Sequence, residues 1–265
     1  MRPLSEFGER ERREVRGVFC DIDDTLTTDG RLTAEAYAAM ERLAEAGLPV
    51  VPITGRPAGW CDHIARMWPV AAVVGENGAF HFRYDRGRRR MKRIYADDVA
   101  TRARGRERLA AIAREIVAQV PGCAIASDQA WRETDLAIDY CEDVARLPPG
   151  EVERIVALMQ ARGLTAKVSS IHVNGWFGTY DKLGMTKRLM LEEFEIDLDA
   201  ARESYVFAGD SPNDAPMFAH FTHAIGVANI ADFTGRLAHE PRYVTLGRGG
   251  AGFRELADFL LAART

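Results

Sequence analysis

The sequence is poor in cysteine and shows no cysteine pattern that binds metal. None of its cysteines forms a C-x-x-C pair, and no His/Cys cluster has zinc-site spacing. The four cysteines are Cys20, Cys61, Cys123 and Cys141. This usage predicts a protein of a reduced compartment, and we expect a cytoplasmic location.

Long apolar runs and a strong charge of one sign are also missing. No stretch of about 18 apolar residues occurs, so we expect no membrane span. Residues 1–14 are polar and highly charged, unlike the apolar core of a signal peptide. The net charge of −4 over 265 residues gives no indication of nucleic-acid binding. The expected partner is therefore a small molecule, and the oligomeric state stays open.

The two ends of the chain alternate short apolar runs with amphipathic segments. This alternation predicts an α/β fold with a doubly wound, mostly parallel, Rossmann-like sheet. Between residues 80 and 178 the pattern changes to a hairpin, further short strands and two helices. We therefore predict a core of residues 1–79 and 179–265 and an inserted α+β cap of residues 80–178. Strands are expected at 15–20, 48–53, 70–74 and 205–208, a half-exposed strand at 136–140 and a helix at 232–238.

Three carboxylates crowd into four residues directly after the first apolar run. Asp21, Asp23 and Asp24 raise one another's pKa unless a cation or a phosphoryl group is bound there. Asp21 is a candidate nucleophile toward phosphorus, and Asp23 a candidate acid and base for the leaving oxygen and the attacking water. Asp210, near a later strand end with Asp214, could complete an oxygen ligand sphere for Mg²⁺. The cluster is the predicted chemical centre.

Other polar groups fall at strand ends or helix starts of the same sheet. The Thr54 hydroxyl, backbone N–H groups near Gly55 and a lysine ammonium could hold the oxygens of a phosphoryl group. Two lysines compete for the last role. Lys182 falls where a helix begins and is favoured, whereas Lys187 lies a turn and a half further on, where a solvated side chain is the commoner outcome.

Three sequence blocks together resemble the haloacid dehalogenase superfamily. Residues 21–26 (DIDDTL) resemble its motif I, residues 54–56 (TGR) motif II, and residues 209–214 (GDSPND) motif IV of its Cof-type phosphatases with a type IIB cap. The resemblance covers the whole chain, including a cap inserted after the third strand. Sucrose-phosphate phosphatases, mannosyl-3-phosphoglycerate phosphatases and phosphomannomutases share this layout.

The resemblance implies specific roles for several residues. Asp21 would be the nucleophile and Asp23 the acid/base. Mg²⁺ would be held by the Asp21 carboxylate, the Asp23 backbone carbonyl and Asp210, with Asp214 close behind. Asn213 would help to place the phosphate. The family's lysine would correspond to Lys182. The family often has Gly at the next position, whereas this chain has Leu183 there.

Three further residues are candidate substrate contacts, each with an ordinary structural alternative. Arg56 is either a substrate contact or a surface arginine in a first helical turn. Asn77 is either a substrate contact or part of a turn, where asparagine tolerates positive φ. Arg132 could bind sugar hydroxyls or only occupy the polar face of the cap.

The predicted function is an Mg²⁺-dependent phosphatase that hydrolyses a small phosphorylated metabolite, expected to be a sugar phosphate, through an aspartyl-phosphate. A phosphomannomutase-like phosphosugar mutase is the nearest alternative and differs by releasing no phosphate. A phospho-accepting signalling domain of receiver type is a further alternative. It would place the acceptor Asp after the third strand, where this chain has residues 75–77 (GEN).

Overall fold

The computed structural model describes residues 1–264 and divides them into short strands, helices and 3-10 turns. The strands are β1 (Arg2–Pro3), β2 (Gly17–Cys20), β3 (Thr27–Thr28), β4 (Arg31–Leu32), β5 (Val50–Pro52), β6 (Val73–Gly75), β7 (Phe80–Asp85), β8 (Arg90–Tyr95), β9 (Ala124–Ile125), β10 (Asp135–Asp139), β11 (Thr165–Val168), β12 (His172–Trp176), β13 (Tyr205–Gly209), β14 (His223–Gly226) and β15 (Tyr243–Val244). The helices are α1 (Glu9–Glu14), α2 (Ala34–Glu45), α3 (Ala58–Met67), α4 (Val99–Gln119), α5 (Pro149–Ala161), α6 (Lys182–Phe194), α7 (Ala215–His220) and α8 (Gly249–Ala262).

The central sheet is parallel and has the strand order β1-β15-β14-β13-β2-β5. Its interior strand β2 is buried on both faces, because Val18 and Cys20 pack into one apolar cluster and Phe19 into another. Alternate residues of a strand point to opposite faces, so helices must cover both sides of the sheet. This arrangement confirms the predicted doubly wound α/β fold.

The central sheet continues into an antiparallel hairpin. A parallel bridge from Ile53 to Val74 joins β5 to β6, and β7 and β8 then add to β6 in antiparallel order. Phe80 and Phe82 of this hairpin are buried in a core cluster that also contains Cys61 and Ile64. The hairpin therefore packs with the core.

The inserted module has a sheet and an apolar cluster of its own. Its antiparallel strands run in the order β11-β12-β10-β9, and α4 and α5 pack against them around Leu109, Ile116, Ile155 and Met159. The boundary at residue 80 stays a prediction. Since the hairpin packs with the core, we propose that the cap begins after Tyr95 and ends near residue 178.

Two local predictions from sequence are wrong. The strand expected to be half-exposed at 136–140 is β10, and all five of its residues are buried. One face packs on the cap helices, and the other carries Asp135 and Asp139, whose side chains are hydrogen-bonded within the protein. The helix expected at 232–238 is replaced by a 3-10 turn over Ala228–Phe233, and Gly235 then adopts a positive φ of 77° that no α-helix contains.

Within residues 1–264, no helix combines the length and the apolar character that crossing a membrane requires.

Candidate active site

The carboxyl ends of three neighbouring strands bring the predicted polar residues together. Asp21 follows β2, Thr54 lies just beyond β5, and Asp210 follows β13. The Asp21 backbone N–H donates to the Ala208 carbonyl at 2.9 Å, which fixes the ends of β2 and β13 side by side. This edge is where open parallel sheets hold their ligands.

Lys182 is the lysine that reaches this edge. It is the first residue of α6, whose N-cap Asp181 accepts the Gly184 backbone N–H at 2.7 Å. The Lys182 Nζ lies 2.7 Å from Asp21 Oδ1 and 2.8 Å from Asp214 Oδ1, and the residue is 3% exposed. Lys187 points away from the cluster and pairs with Asp199 at 2.6 Å.

The start of α6 rests on a glycine that tolerates no side chain. Gly78 has φ of 105°, and a Cβ there would lie 2.0 Å from the Asp181 carbonyl oxygen. We expect Gly78→Ala to lower the free energy of unfolding by roughly 2–5 kcal/mol through overpacking and backbone strain. Gly163 has φ of 79° and open space around it, so Gly163→Ala should cost only about 1–2 kcal/mol. Urea denaturation measures the loss of unfolding free energy in both variants, and the difference between them is the part due to the contact of Gly78 with α6. Equal losses would contradict the role given to Gly78.

The loop after β13 is built around the Asp214 carboxylate. Its Oδ2 accepts the backbone N–H groups of Asp210 and Ser211 at 3.2 and 3.4 Å. The Thr25 hydroxyl donates to Asp210 Oδ1 at 3.3 Å, and Asn229 Nδ2 donates to Asp210 Oδ2 at 3.4 Å. The bond from Thr25 to Asp210 thus joins motif I directly to motif IV.

The cluster places three carboxyl groups around one ammonium group. One carboxylate oxygen from each of Asp21, Asp210 and Asp214 lies within 4.8 Å of the others, and all three residues are buried. Burial raises the pKa of Asp21 to about 8, against the opposing effect of Lys182. Burial, and next the charge of Asp21, also raise the pKa of Asp210 well above its usual range. A second cation beside these groups would favour their ionised forms.

The Asp23 side chain points to Arg56 rather than to Lys182. It is 16% exposed, and its Oδ1 and Oδ2 lie 2.9 and 3.0 Å from Arg56 Nε. The guanidinium also contacts Asp128 and Glu142 of the cap and lies 4.4 Å from the centre of the Trp60 ring. Arg56, predicted as a substrate contact or a surface residue, is therefore a buried residue surrounded by carboxylates.

The motif II loop lies under the inner face of the cap. The Thr54 hydroxyl accepts the Arg56 backbone N–H at 3.0 Å. A Cβ at Gly55 would lie 3.1 Å from Asn77 Nδ2, and that buried amide nitrogen has no hydrogen-bond partner among residues 1–264. Asn77 has φ of 55°, as expected of a turn asparagine.

Arg132 is occupied by protein groups. Its Nη1 donates to the Gly55 carbonyl at 2.8 Å and to Asp135 Oδ1 at 3.0 Å, and its Nε and Nη2 donate to Asp128. The side chain is buried, so it joins the cap to the motif II loop. Asn213 is nearly buried in the motif IV loop, where its Oδ1 accepts the Ser211 hydroxyl at 2.8 Å.

A cleft of about 790 Å³ between core and cap leads to this centre. Asp24 and Asp210 line its core side, and Tyr140, Arg146 and Ser170 line its cap side. It is large enough for a sugar-sized molecule.

Sequence analysis missed three residues of the site. Asn229 follows β14 at the same edge of the sheet, and this position after an apolar strand could have indicated it. Asp128 and Glu142 lie in cap loops with no periodic pattern. Only the contact between cap and core identifies them.

Comparisons with known proteins agree with this fold. Residues 18–100 match the sequence profile of the haloacid dehalogenase-like hydrolase family. A HAD/COF-like hydrolase from Plasmodium vivax has a TM-score of 0.68 at 16% identity, covering 96% of this chain and 99% of its own. Sucrose-phosphatase from Synechocystis, in complex with sucrose and phosphate, has a TM-score of 0.61 at 12% identity, covering 94% and 98%. A HAD subclass IIB sugar phosphatase has a TM-score of 0.61 at 14% identity, also covering 94% and 98%.

No curated protein matches the chain. At these identities the solved structures show the shared fold, and the family profile supplies the link in sequence. Together they confirm the predicted resemblance to the haloacid dehalogenase superfamily.

Proposed function

On the basis of its similarity to haloacid dehalogenase-like hydrolases over residues 18–100, we propose that this protein is a phosphatase. It would act through a covalent aspartyl-phosphate on Asp21. The observation that carries the proposal is the buried group of Asp21, Lys182, Asp210 and Asp214 at one sheet edge, with Asp23 two residues from the nucleophile. A carboxylate that is buried and oriented by an ammonium group suits attack on a phosphoryl group held in place.

The reaction divides into two displacements at phosphorus. In the first, a bond forms between a carboxylate oxygen of Asp21 and phosphorus while the ester P–O bond breaks, and Asp23 gives its proton to the leaving alcohol. In the second, water attacks phosphorus, Asp23 takes the water's proton, and the bond to Asp21 breaks. Lys182, the Thr54 hydroxyl and the N–H groups near Gly55 stabilise charge on the transferred oxygens. Asn213 and Asn77 are further candidates to contact the phosphate.

The residues present fit a divalent cation. Three clustered carboxyl groups share a single ammonium group, so ionising all three would leave two negative charges that a divalent cation would balance. Oxygen ligands of this kind suit Mg²⁺, and Asp21, Asp210, Asp214 and the Asp23 carbonyl would hold it. When bound, it would neutralise charge on the phosphoryl oxygens and on these carboxylates.

The proposed substrate is a small phosphorylated sugar. The cleft size supports it, as do the names of similar structures, which include a sucrose-phosphatase, a sugar phosphatase and a trehalose-6-phosphate phosphatase related protein. The test is phosphate release from a panel of sugar phosphates, with and without Mg²⁺. Magnesium-dependent release supports the proposal. Isomerised sugar phosphate without release would point to a mutase and contradict it.

Removal of the metal should change both activity and stability. We expect EDTA to abolish phosphate release and added Mg²⁺ to raise the melting temperature, since a ligand that binds only the folded state stabilises it. At a hundred times its dissociation constant the gain is about 2.7 kcal/mol. Differential scanning fluorimetry measures the shift, which Asp210→Asn should largely remove. A full shift in that variant would contradict the proposed ligand set.

A further inference from the structure

Arg56 is engaged by carboxylates at every nitrogen of its guanidinium. Nε contacts both oxygens of Asp23, and Nη2 lies 2.8 Å from Asp23 Oδ1 and 2.6 Å from Glu142 Oε1. Nη1 lies 3.3 Å from Asp128 Oδ2 and 3.3 Å from Glu142 Oε2. The residue is only 4% exposed, and Trp60 covers one face of the guanidinium. A phosphoryl group would therefore have to displace an existing carboxylate to reach it.

These three carboxylates come from different parts of the protein. Asp23 is the proposed acid/base of the core, whereas Asp128 and Glu142 belong to the cap. A planar guanidinium that binds several carboxylates fixes their relative positions, because its donors form a rigid fork. Arg56 is thus the direct link between the cap and the Asp23 carboxylate.

The cap holds Glu142 firmly in place for this contact. The Asp139 carboxylate accepts the backbone N–H groups of Cys141, Glu142 and Asp143 at 2.8, 2.7 and 2.8 Å. His172 Nε2 lies 2.8 Å from Glu142 Oε2 on the other side. Burial raises the pKa of Glu142, but its interactions with His172 and Arg56 outweigh burial and lower that pKa to about 2. Glu142 is consequently an anion at neutral pH.

We propose that Arg56 is a positioning residue that couples docking of the cap, through Glu142 and Asp128, to the orientation of the Asp23 carboxylate. With the cap docked, the guanidinium holds Asp23 in place for proton transfer. With the cap away, Arg56 keeps Asp23 but loses its two other carboxylate partners, so nothing from the cap side fixes the guanidinium or the Asp23 carboxylate that it binds. Proton transfer would then be efficient only over an enclosed substrate. This inference rests on the proposed function, which assigns the acid/base role to Asp23.

A comparison of substrates with different leaving groups distinguishes a residue that positions Asp23 from one that only joins the cap to the core. An alkoxide leaves phosphorus readily only when it is protonated, whereas p-nitrophenolate leaves without a proton. The ratio kcat/KM covers substrate binding and the steps up to departure of the alcohol, so it includes the acid role of Asp23 and leaves out its later base role. Misorientation of Asp23 should therefore lower kcat/KM for a sugar phosphate far more than for p-nitrophenyl phosphate.

Two variants test the two halves of the link. Arg56→Lys keeps the charge but loses the fork, and we expect kcat/KM for the best sugar phosphate to fall about 10²-fold, the usual contribution of general acid catalysis. Glu142→Gln leaves the contact of Arg56 with Asp23 intact, so only part of the general acid contribution should be lost. We expect kcat/KM for the best sugar phosphate to fall about tenfold. For p-nitrophenyl phosphate both variants should lose less than about threefold, because no acid is needed.

Arg66→Lys is the matched control. Arg66 also pairs with a carboxylate, Asp62, and stacks on an aromatic ring, Tyr84, but it lies outside the cap contact. In this variant kcat/KM should equal the wild-type value for both esters. Equal losses on both esters in Arg56→Lys and Glu142→Gln, or no loss in Glu142→Gln, would overturn the inference and leave the phosphatase proposal intact. Wild-type protein that hydrolyses neither ester would overturn both.

Discussion

Asp21→Asn is expected to abolish phosphate release, with kcat falling by at least about 10⁴-fold, as when a covalent nucleophile is removed. The amide has nearly the shape of the carboxylate but is a poor nucleophile, and Lys182 keeps Asp214 as its ionic partner at 2.8 Å. The folded protein should therefore persist while its chemistry is lost. Steady-state phosphate release at saturating substrate measures the effect.

Asp197→Asn is the control for this substitution. Asp197 is an exposed residue between α6 and β13, and its Oδ1 accepts the Asp199 backbone N–H at 3.0 Å, a role that the amide oxygen of asparagine can also fill. Its activity should equal that of the wild type. Turnover that survives in Asp21→Asn at more than about a hundredth of the wild-type rate would exclude Asp21 as the nucleophile.

Lys182→Met is expected to have the largest effect on stability. It leaves the buried carboxylates of Asp21 and Asp214 without their shared ammonium, and removal of one partner from a buried ion pair costs about 3–5 kcal/mol. We expect this loss in urea denaturation with EDTA present, when no metal ion can compensate. Activity should be lost as well, because the same ammonium is proposed to stabilise the transferred oxygens.

The second lysine of α6 gives a matched control. Lys187 pairs with Asp199 on the surface, and such pairs contribute about 0–1 kcal/mol. Lys187→Met should therefore be nearly as stable and as active as the wild type. Two results would contradict the stabilising role of the ionic cluster. One is an equal loss of stability in both lysine variants, and the other is a Lys182→Met variant that unfolds at the same midpoint urea concentration as the wild type.

Much of the core could be predicted because the decisive signals are local. Asp21 and Asp210 directly follow short apolar strands, and the carboxyl ends of parallel strands meet at one edge. Lys182 could be favoured over Lys187 because it begins a helix, and the structure places it, not Lys187, beside Asp21.

The parts that sequence analysis missed depend on contacts between distant segments. Glu142 joins the site only because the cap docks on Arg56, 86 positions earlier in the chain. β10 looks half-exposed in sequence because its polar residues face the core, where Asp135 pairs with Arg132 in the interior. Charged residues that neutralise one another can be buried, and a hydropathy pattern does not reveal the pairing.

The most direct test of the account is to trap the covalent intermediate. Wild type and Asp23→Asn would be mixed with p-nitrophenyl phosphate and Mg²⁺, quenched in acid and reduced with borohydride, which converts an aspartyl-phosphate to homoserine. We expect peptide mass spectrometry to find the modification at residue 21, and more of it in Asp23→Asn, because that variant lacks the base that activates water for the second step. Sustained turnover with no modification at residue 21 at any quench time, or modification at another residue, would contradict the central claim.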